Sequence, residues 1–196
     1  MSRKVTTLKL LKQSTYDCHI RVENRLDLLS PGLTQERYIA ILAAFYGFYA
    51  PLEAQWRRFG EQSVCRSLFQ NRLKIPLLYN DLVSLKVEGS TIASFPLCSY
   101  VPQQKTFMDV LGTMYVLEGA TLGGQIIMRH LSNHFDFMPK YGGTFFASYG
   151  EQVAAMWRSF TQLVGSIEQE QDIAHIVTAA VQTFDTLDQW LEERQL

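Results

Sequence analysis

Apolar residues recur at spacings of three and four along most of this chain, the period of an α-helix with one buried face. Leu8, Leu11, Thr15, Cys18, Val22, Leu26 and Leu29 form one such stripe and predict a first helix over 6–29. Ser30-Pro31-Gly32 ends it. Thr34 as an N-cap and Glu36 in the first turn open a second helix. Its inward line is Tyr38, Leu42, Phe45, Tyr49, Leu52 and Trp56, running to about Phe59 with a kink at Pro51. A shorter helix over 67–87 places Leu68, Leu73, Leu77, Leu78 and Leu82 inward, with Pro76 bending or breaking it. Residues 89–104 and 135–143, rich in Ser, Pro or Gly, read as irregular connectors. Two further helices follow, over 145–167 and 173–193, the second with Ile173, Ile176, Ala180, Phe184, Leu187 and Leu191 inward. No segment shows the period-two alternation of a strand, and no Asn-Gly or Asp-Gly hairpin turn occurs. The pattern predicts an all-α fold.

One stretch, 107–134, does not fit the simple scheme. Leu111, Met114, Tyr115, Leu117, Glu118, Leu122 and Ile126 keep helical spacing, yet Gly112, Gly119, Gly123 and Gly124 lie among them. Each interior glycine costs a helix about 1 kcal/mol relative to alanine. Gly119 and Gly123 are four apart and share a face, so this helix exposes its backbone there. Either another helix crosses closely, which composition alone favours, or a flat ligand lies against the bare face.

Bulk properties narrow the setting. At 196 residues the chain is expected to form one domain, 1–196, with a single core. A net charge of −1 gives no reason to expect a nucleic-acid or membrane partner. The N-terminal residues lack the apolar core of a signal peptide, and no apolar run reaches the roughly 20 residues that span a bilayer. Cys18, Cys65 and Cys98 form no metal motif and cannot all pair, which suits a reducing cytoplasm.

The chemistry-bearing residues begin with Lys12, His19 and Glu23, which share one side of the first helix, beside its apolar stripe. A lone helical histidine is usually unremarkable. Here Glu23, one turn on, is placed to accept a hydrogen bond from one ring nitrogen, directly or through water, and leave the other for a metal, and a single histidine ligand suits haem iron that keeps one face open.

On these residues the chain resembles the haem oxygenase family. Lys12–Asn24 (KQSTYDCHIRVEN) is similar to the family's proximal helix, and Phe45–Glu53 (FYGFYAPLE) to its aromatic second helix. Gly119–Gln125 (GATLGGQ) is similar to the distal helix that covers the haem, and YVLEGATLGGQ looks most like the bacterial, bacteriophytochrome-associated branch. The resemblance implies a multi-helical bundle with haem, both cofactor and substrate, between the first helix and a glycine-kinked distal helix. It implies His19 as the iron ligand, with Glu23 as its partner, and Gly119 and Gly123 as the catalytic distal face, Gly124 adjoining them. Lys12 and Arg158 would pair with the propionates, and Tyr115 and Tyr49 are weaker pocket candidates. The activity implied is ring opening to biliverdin, carbon monoxide and iron, with dioxygen and an external electron donor such as ferredoxin or a reductase. A bacteriophytochrome would accept the biliverdin. One position departs from the pattern: Ala120 stands where the best-known members carry an aspartate. A non-catalytic haem carrier or sensor of the same fold is the alternative this departure raises.

Other constellations weigh less. His130 and His134 have metal-ligand spacing, but no third ligand suggests itself and both sit at a helix end that favours histidine. Asp172 and His175 lack the additional inward glutamates of a di-iron helical site. Cys18 would have to be a nucleophile in a thiamin-degrading type of helical enzyme, yet it lies on the core stripe.

Overall fold

The computed structural model describes residues 6–56, 59, 68–135 and 141–196. Eight α-helices and no strand occur among the described residues: α1 (Thr7–Leu26), α2 (Gln35–Trp56), α3 (Ile75–Ser84), α4 (Gly89–Ala93), α5 (Phe107–Phe135), α6 (Thr144–Ala147), α7 (Val153–Gly165) and α8 (Glu170–Glu193). A single 3-10 turn, Gly150–Gln152, leads into α7.

Local chemistry sets most of the boundaries. Thr6 caps α1, its side chain accepting from the Lys9 N–H, and Asp27 ends the helix in the left-handed region at φ 42°. The helix is therefore shorter than expected, and Leu29 lies beyond it, half exposed. Pro51 does not interrupt α2, which runs through it to Trp56. Nor does Pro76 break a helix: it sits in the first turn of α3, where its missing N–H costs nothing. Leu73, expected inward, precedes that start and is exposed. The expected helix over 145–167 is two, because Ser148 takes φ 43° between α6 and the 3-10 turn. The last helix starts earlier than expected, with Glu170 and Asp172 in the first turn of α8, where the helix dipole favours them. The connector near Pro139 lies largely outside the described residues.

α8 is the central strut. α1 packs along one side of it and α5 along another, while α1 and α5 make no comparable contact with each other among the described residues. Gly112 permits the close approach of α5, because a Cβ there would overlap the Ile176 carbonyl and the Ala179 side chain. On α1, Arg21 bonds Asp185 at 2.6 Å and Arg25 bonds Asp188 at 2.6 Å, fixing its register against α8. The aromatic line of α2 is core, as the pattern alone suggests. Tyr38, Phe45, Phe48 and Tyr49 are buried, and Phe45 and Tyr49 meet Phe145 edge-on or tilted. Two helices held apart on a common strut leave a groove between them.

Candidate functional site

The α1 wall of that groove carries an unusual mixture. Tyr16 and Ile20 are large, apolar and exposed, and His19 lies between them with its side chain 50% exposed. The His19 Nδ1 atom is 3.3 Å from a Glu23 carboxylate oxygen, and the ring meets Phe184 of α8 edge-on at 5.8 Å. With Nδ1 engaged, Nε2 is the nitrogen left to meet a ligand.

The α5 wall is just as uneven. A Cβ built on Gly119 would come no nearer than 3.9 Å to another side chain, that of Trp157, and one on Gly123 would reach only Ile127 of its own helix, at 4.0 Å. Leu122 and Ile126, on the same stripe, are 46% and 65% exposed. Both keep the helical spacing of the apolar positions along α5. They stand beside the bare glycines. Gly124 differs: a Cβ there would overlap the Phe146 carbonyl oxygen. Its bareness is spent on helix packing against α6, so Gly124 does not share the open face with Gly119 and Gly123.

Contacts at two points place these walls side by side. The Tyr115 hydroxyl of α5 lies beside the Thr15 hydroxyl of α1, and burial raises its pKa while Thr15 lowers it again in part. Further along, His130 Nε2 lies 3.2 Å from the Ser30 carbonyl and His134 Nε2 lies 2.9 Å from the Leu33 carbonyl. Position 115 thus meets 15, and 130 meets 30, so the two segments run in the same direction. His19 and Glu23 on α1, and Gly119 and Gly123 on α5, both fall between these two points along their segments. The stretch between the two contacts, bounded by Tyr115 at one end and by the two histidines at the other, is the candidate slot. His130 and His134 therefore tie down the loop after α1. No group of three or more His, Cys, Asp or Glu among the described residues is arranged to hold a metal ion.

Lys12 and Arg158 are both exposed, near the Tyr115 end of the slot by their registers on α1 and α7. Tyr115 packs against Trp157 at 5.7 Å. Trp157 itself was not anticipated, although it adjoins Arg158: its ring touches both Tyr115 and the space beside Gly119. Tyr49 lies in the aromatic core beside Phe45, Phe48 and Phe145, with only 2% exposed. A separate open concavity of about 430 Å³ lies against the end of α2, lined by Pro51, Gln55, Leu97 and Cys98 among others. It contains no histidine or carboxylate.

Behind the glycine wall is a group of charges that sequence reasoning missed. Glu118, 1% exposed, accepts from Arg72, from Lys74 Nζ at 2.9 Å and from the Tyr149 hydroxyl at 2.7 Å. Glu53 of α2 caps the first turn of α3, taking the Lys74 N–H at 2.5 Å. Burial pushes the Glu53 carboxyl up to about 7, drives Lys74 down and raises Tyr149. The hint in the sequence was a lone charge in an otherwise apolar run, 110–128.

Comparison with known proteins gives a consistent picture. A family model described as heme oxygenase matches residues 5–193. The fold is similar to that of the NO- and CO-bound heme oxygenase from Neisseria meningitidis (TM-score 0.79, 18% identity, 98% of this chain and 93% of that one). It is similar to the heme oxygenase from Leptospira interrogans (TM-score 0.79, 17% identity, 96% and 99%). It also resembles heme oxygenase-1 from the cyanobacterium Synechocystis sp. in complex with heme (TM-score 0.76, 18% identity, 96% and 92%). No curated protein sequence matches the chain.

Proposed function

Because the chain belongs to the haem oxygenase family, as the match over residues 5–193 shows, we propose that it binds haem in the slot between α1 and α5 and opens the ring to biliverdin, releasing carbon monoxide and iron. The observation that supports this reading most is the pairing of walls: on α1 a half-exposed histidine whose Nδ1 is held by Glu23, and on α5 a helix face stripped to backbone at Gly119 and Gly123.

The residues fit the ligand on three counts. His19 offers an imidazole nitrogen, with Glu23 fixing its orientation. The glycine face lets a flat macrocycle approach the α5 backbone. Tyr16, Ile20, Leu122 and Ile126, exposed apolar side chains on the two walls, would be covered by that ring, which explains a patch that water otherwise meets. Lys12 and Arg158 would pair with the ring's carboxylate arms near the Tyr115 end. When bound, haem supplies the iron that activates dioxygen against its own ring. The chain orients that ring, shields it and leaves one face open.

The sequence carries no flavin or nicotinamide motif, so electrons come from a separate donor such as ferredoxin or a reductase. We place the reaction in the cytoplasm, in keeping with three unpaired-motif cysteines, with a bacteriophytochrome as an acceptor for the product. No helix among the described residues is long and apolar enough to cross a membrane. Ala120 puts no carboxylate on the slot face, so ordering of water there falls to backbone groups. That same residue favours a second reading, a haem carrier or sensor without turnover. Purified protein given haem, oxygen and a ferredoxin–reductase couple separates the two. Loss of the Soret band with formation of a bilin and carbon monoxide is expected, whereas haem that stays intact through reduction in air supports the carrier.

A further inference from the structure

The charge group behind Gly119 is larger than helix packing needs. A buried carboxylate is costly unless its lone pairs are all engaged, and removing one partner from such a pair leaves an uncompensated charge. Glu118 is fully engaged, by Arg72, Lys74 and Tyr149. Each partner comes from outside α5. Arg72 goes on to bond the Met156 carbonyl at 3.1 Å and the Ser159 hydroxyl at 2.9 Å, on either side of Trp157 in α7. Lys74 also bonds the Arg72 carbonyl at 3.1 Å and lies 4.1 Å above the Tyr149 ring. The turn that delivers Tyr149 is strained: Ser148, just before it, has φ 43° and ψ −112°, a conformation a non-glycine residue keeps only when its surroundings impose it.

These contacts converge on the slot from behind. Glu118 is joined directly to Gly119, and through Arg72 it holds the stretch of α7 that carries the Trp157 ring beside Gly119. On the other side of the bare stretch, Gly124 is pinned against Phe146, which Asp81 fixes in turn by taking the Thr144 and Phe145 N–H groups at 2.7 Å each. A run with three glycines in six residues is thus anchored at both ends. Between Asp109 and Arg129, Glu118 is also the one charged residue on α5, and Ala120 contributes none on the slot side.

We propose, resting on the haem reading above, that Glu118 is a positioning residue of the distal wall: through Arg72, Lys74 and Tyr149 it holds the Gly119 backbone and the Trp157 ring in place and sets the electrostatic potential on the open side of the ring. Glu118→Gln removes the negative charge and keeps the shape, while Lys74→Met removes an opposing positive charge at about the same place. The readout is the alkaline transition of the ferric haem spectrum, followed optically against pH in each haem-loaded variant. Removing the negative charge favours loss of a proton at the open face, so Glu118→Gln lowers the midpoint, and Lys74→Met raises it. Each shift is on the order of half a pH unit to one unit, the size a nearby charge imposes. A midpoint unchanged in both variants, or moved in the same direction by both, overturns the proposal and leaves Glu118 a packing residue. If Glu118→Gln does not fold, the sign of the Lys74→Met shift decides alone. Failure of the unsubstituted protein to take up haem is a different result, which overturns the haem reading first and this proposal with it.

Discussion

Gly123 and Gly124 are neighbours on one helix, and a methyl group added to each meets opposite surroundings. At Gly124 it would overlap the backbone of Phe146, and at Gly123 it would reach only Ile127 on the same helix, at 4.0 Å. The same contrast separates Gly112, buried against α8, from Gly119, beside Trp157. Two glycines let helices touch, and two leave a face bare. The close helix crossing that a glycine-rich helix invites thus explains Gly112 and Gly124, and leaves Gly119 and Gly123 without a packing role. Only the second kind concerns a ligand, since a bare backbone that nothing packs against has no role in holding this fold together.

That contrast can be broken by experiment. The largest effect is expected at Gly124→Ala, where overlap with a main-chain carbonyl cannot be relieved by a side-chain rotation. Urea unfolding should show a loss of about 3 kcal/mol. A stability equal to the parent would remove the distinction between the two classes.

The next effect lies behind the slot and depends on pH. Burial raises the Glu53 carboxyl to about 7 from an ordinary 4.5, with Lys74 pulling it back and Glu118 pushing it further up. A group whose folded pKa is raised binds its proton more tightly in the folded state. Its contribution is therefore whole below about 4.5 and is lost as pH rises through about 7. Unfolding free energy measured across that window should fall by something on the order of 2 kcal/mol, and Glu53→Gln should flatten the curve. A parent protein that gains stability between those values, with the variant following it, would contradict this.

Smallest in stability, and opposite in sign to Gly124→Ala, is Gly123→Ala. With room for the methyl group, helix propensity alone should raise stability by up to about 1 kcal/mol. The cost should appear in the ligand instead, as haem affinity reduced by roughly tenfold, equivalent to about 1.4 kcal/mol. A variant that gains stability and binds haem as the parent does would show that this face is not the ligand's.

The sequence made the helices legible wherever one face alone was buried. The stripes of α1 and α8 follow period 3.6 because each buries a single side, and Leu11 and Ile176 are completely buried as their spacing implied. The failures share a cause. Leu73 and Leu29 sit just outside helices whose ends depend on Pro76 and on the left-handed Asp27, details of backbone geometry that apolar spacing does not encode. Leu122 and Ile126 kept the helical period yet are exposed, because periodicity tells which residues share a face and not what covers it. In the site, His19 and Glu23 stood out because both lie four apart on one helix. Glu118, Arg72, Lys74 and Tyr149 come from three separate parts of the chain, so no spacing could connect them. Trp157 was hidden beside a charged neighbour that drew the attention.

The central claim is that His19 and the bare face of α5 hold one flat ligand between them. It is tested most directly by an optical titration of haem into the protein and into His19→Ala. The account expects the parent to take up one equivalent with the Soret spectrum of a histidine-ligated haem, and the variant to lose that spectrum and bind at least about tenfold more weakly. An unchanged spectrum and affinity in His19→Ala would contradict it.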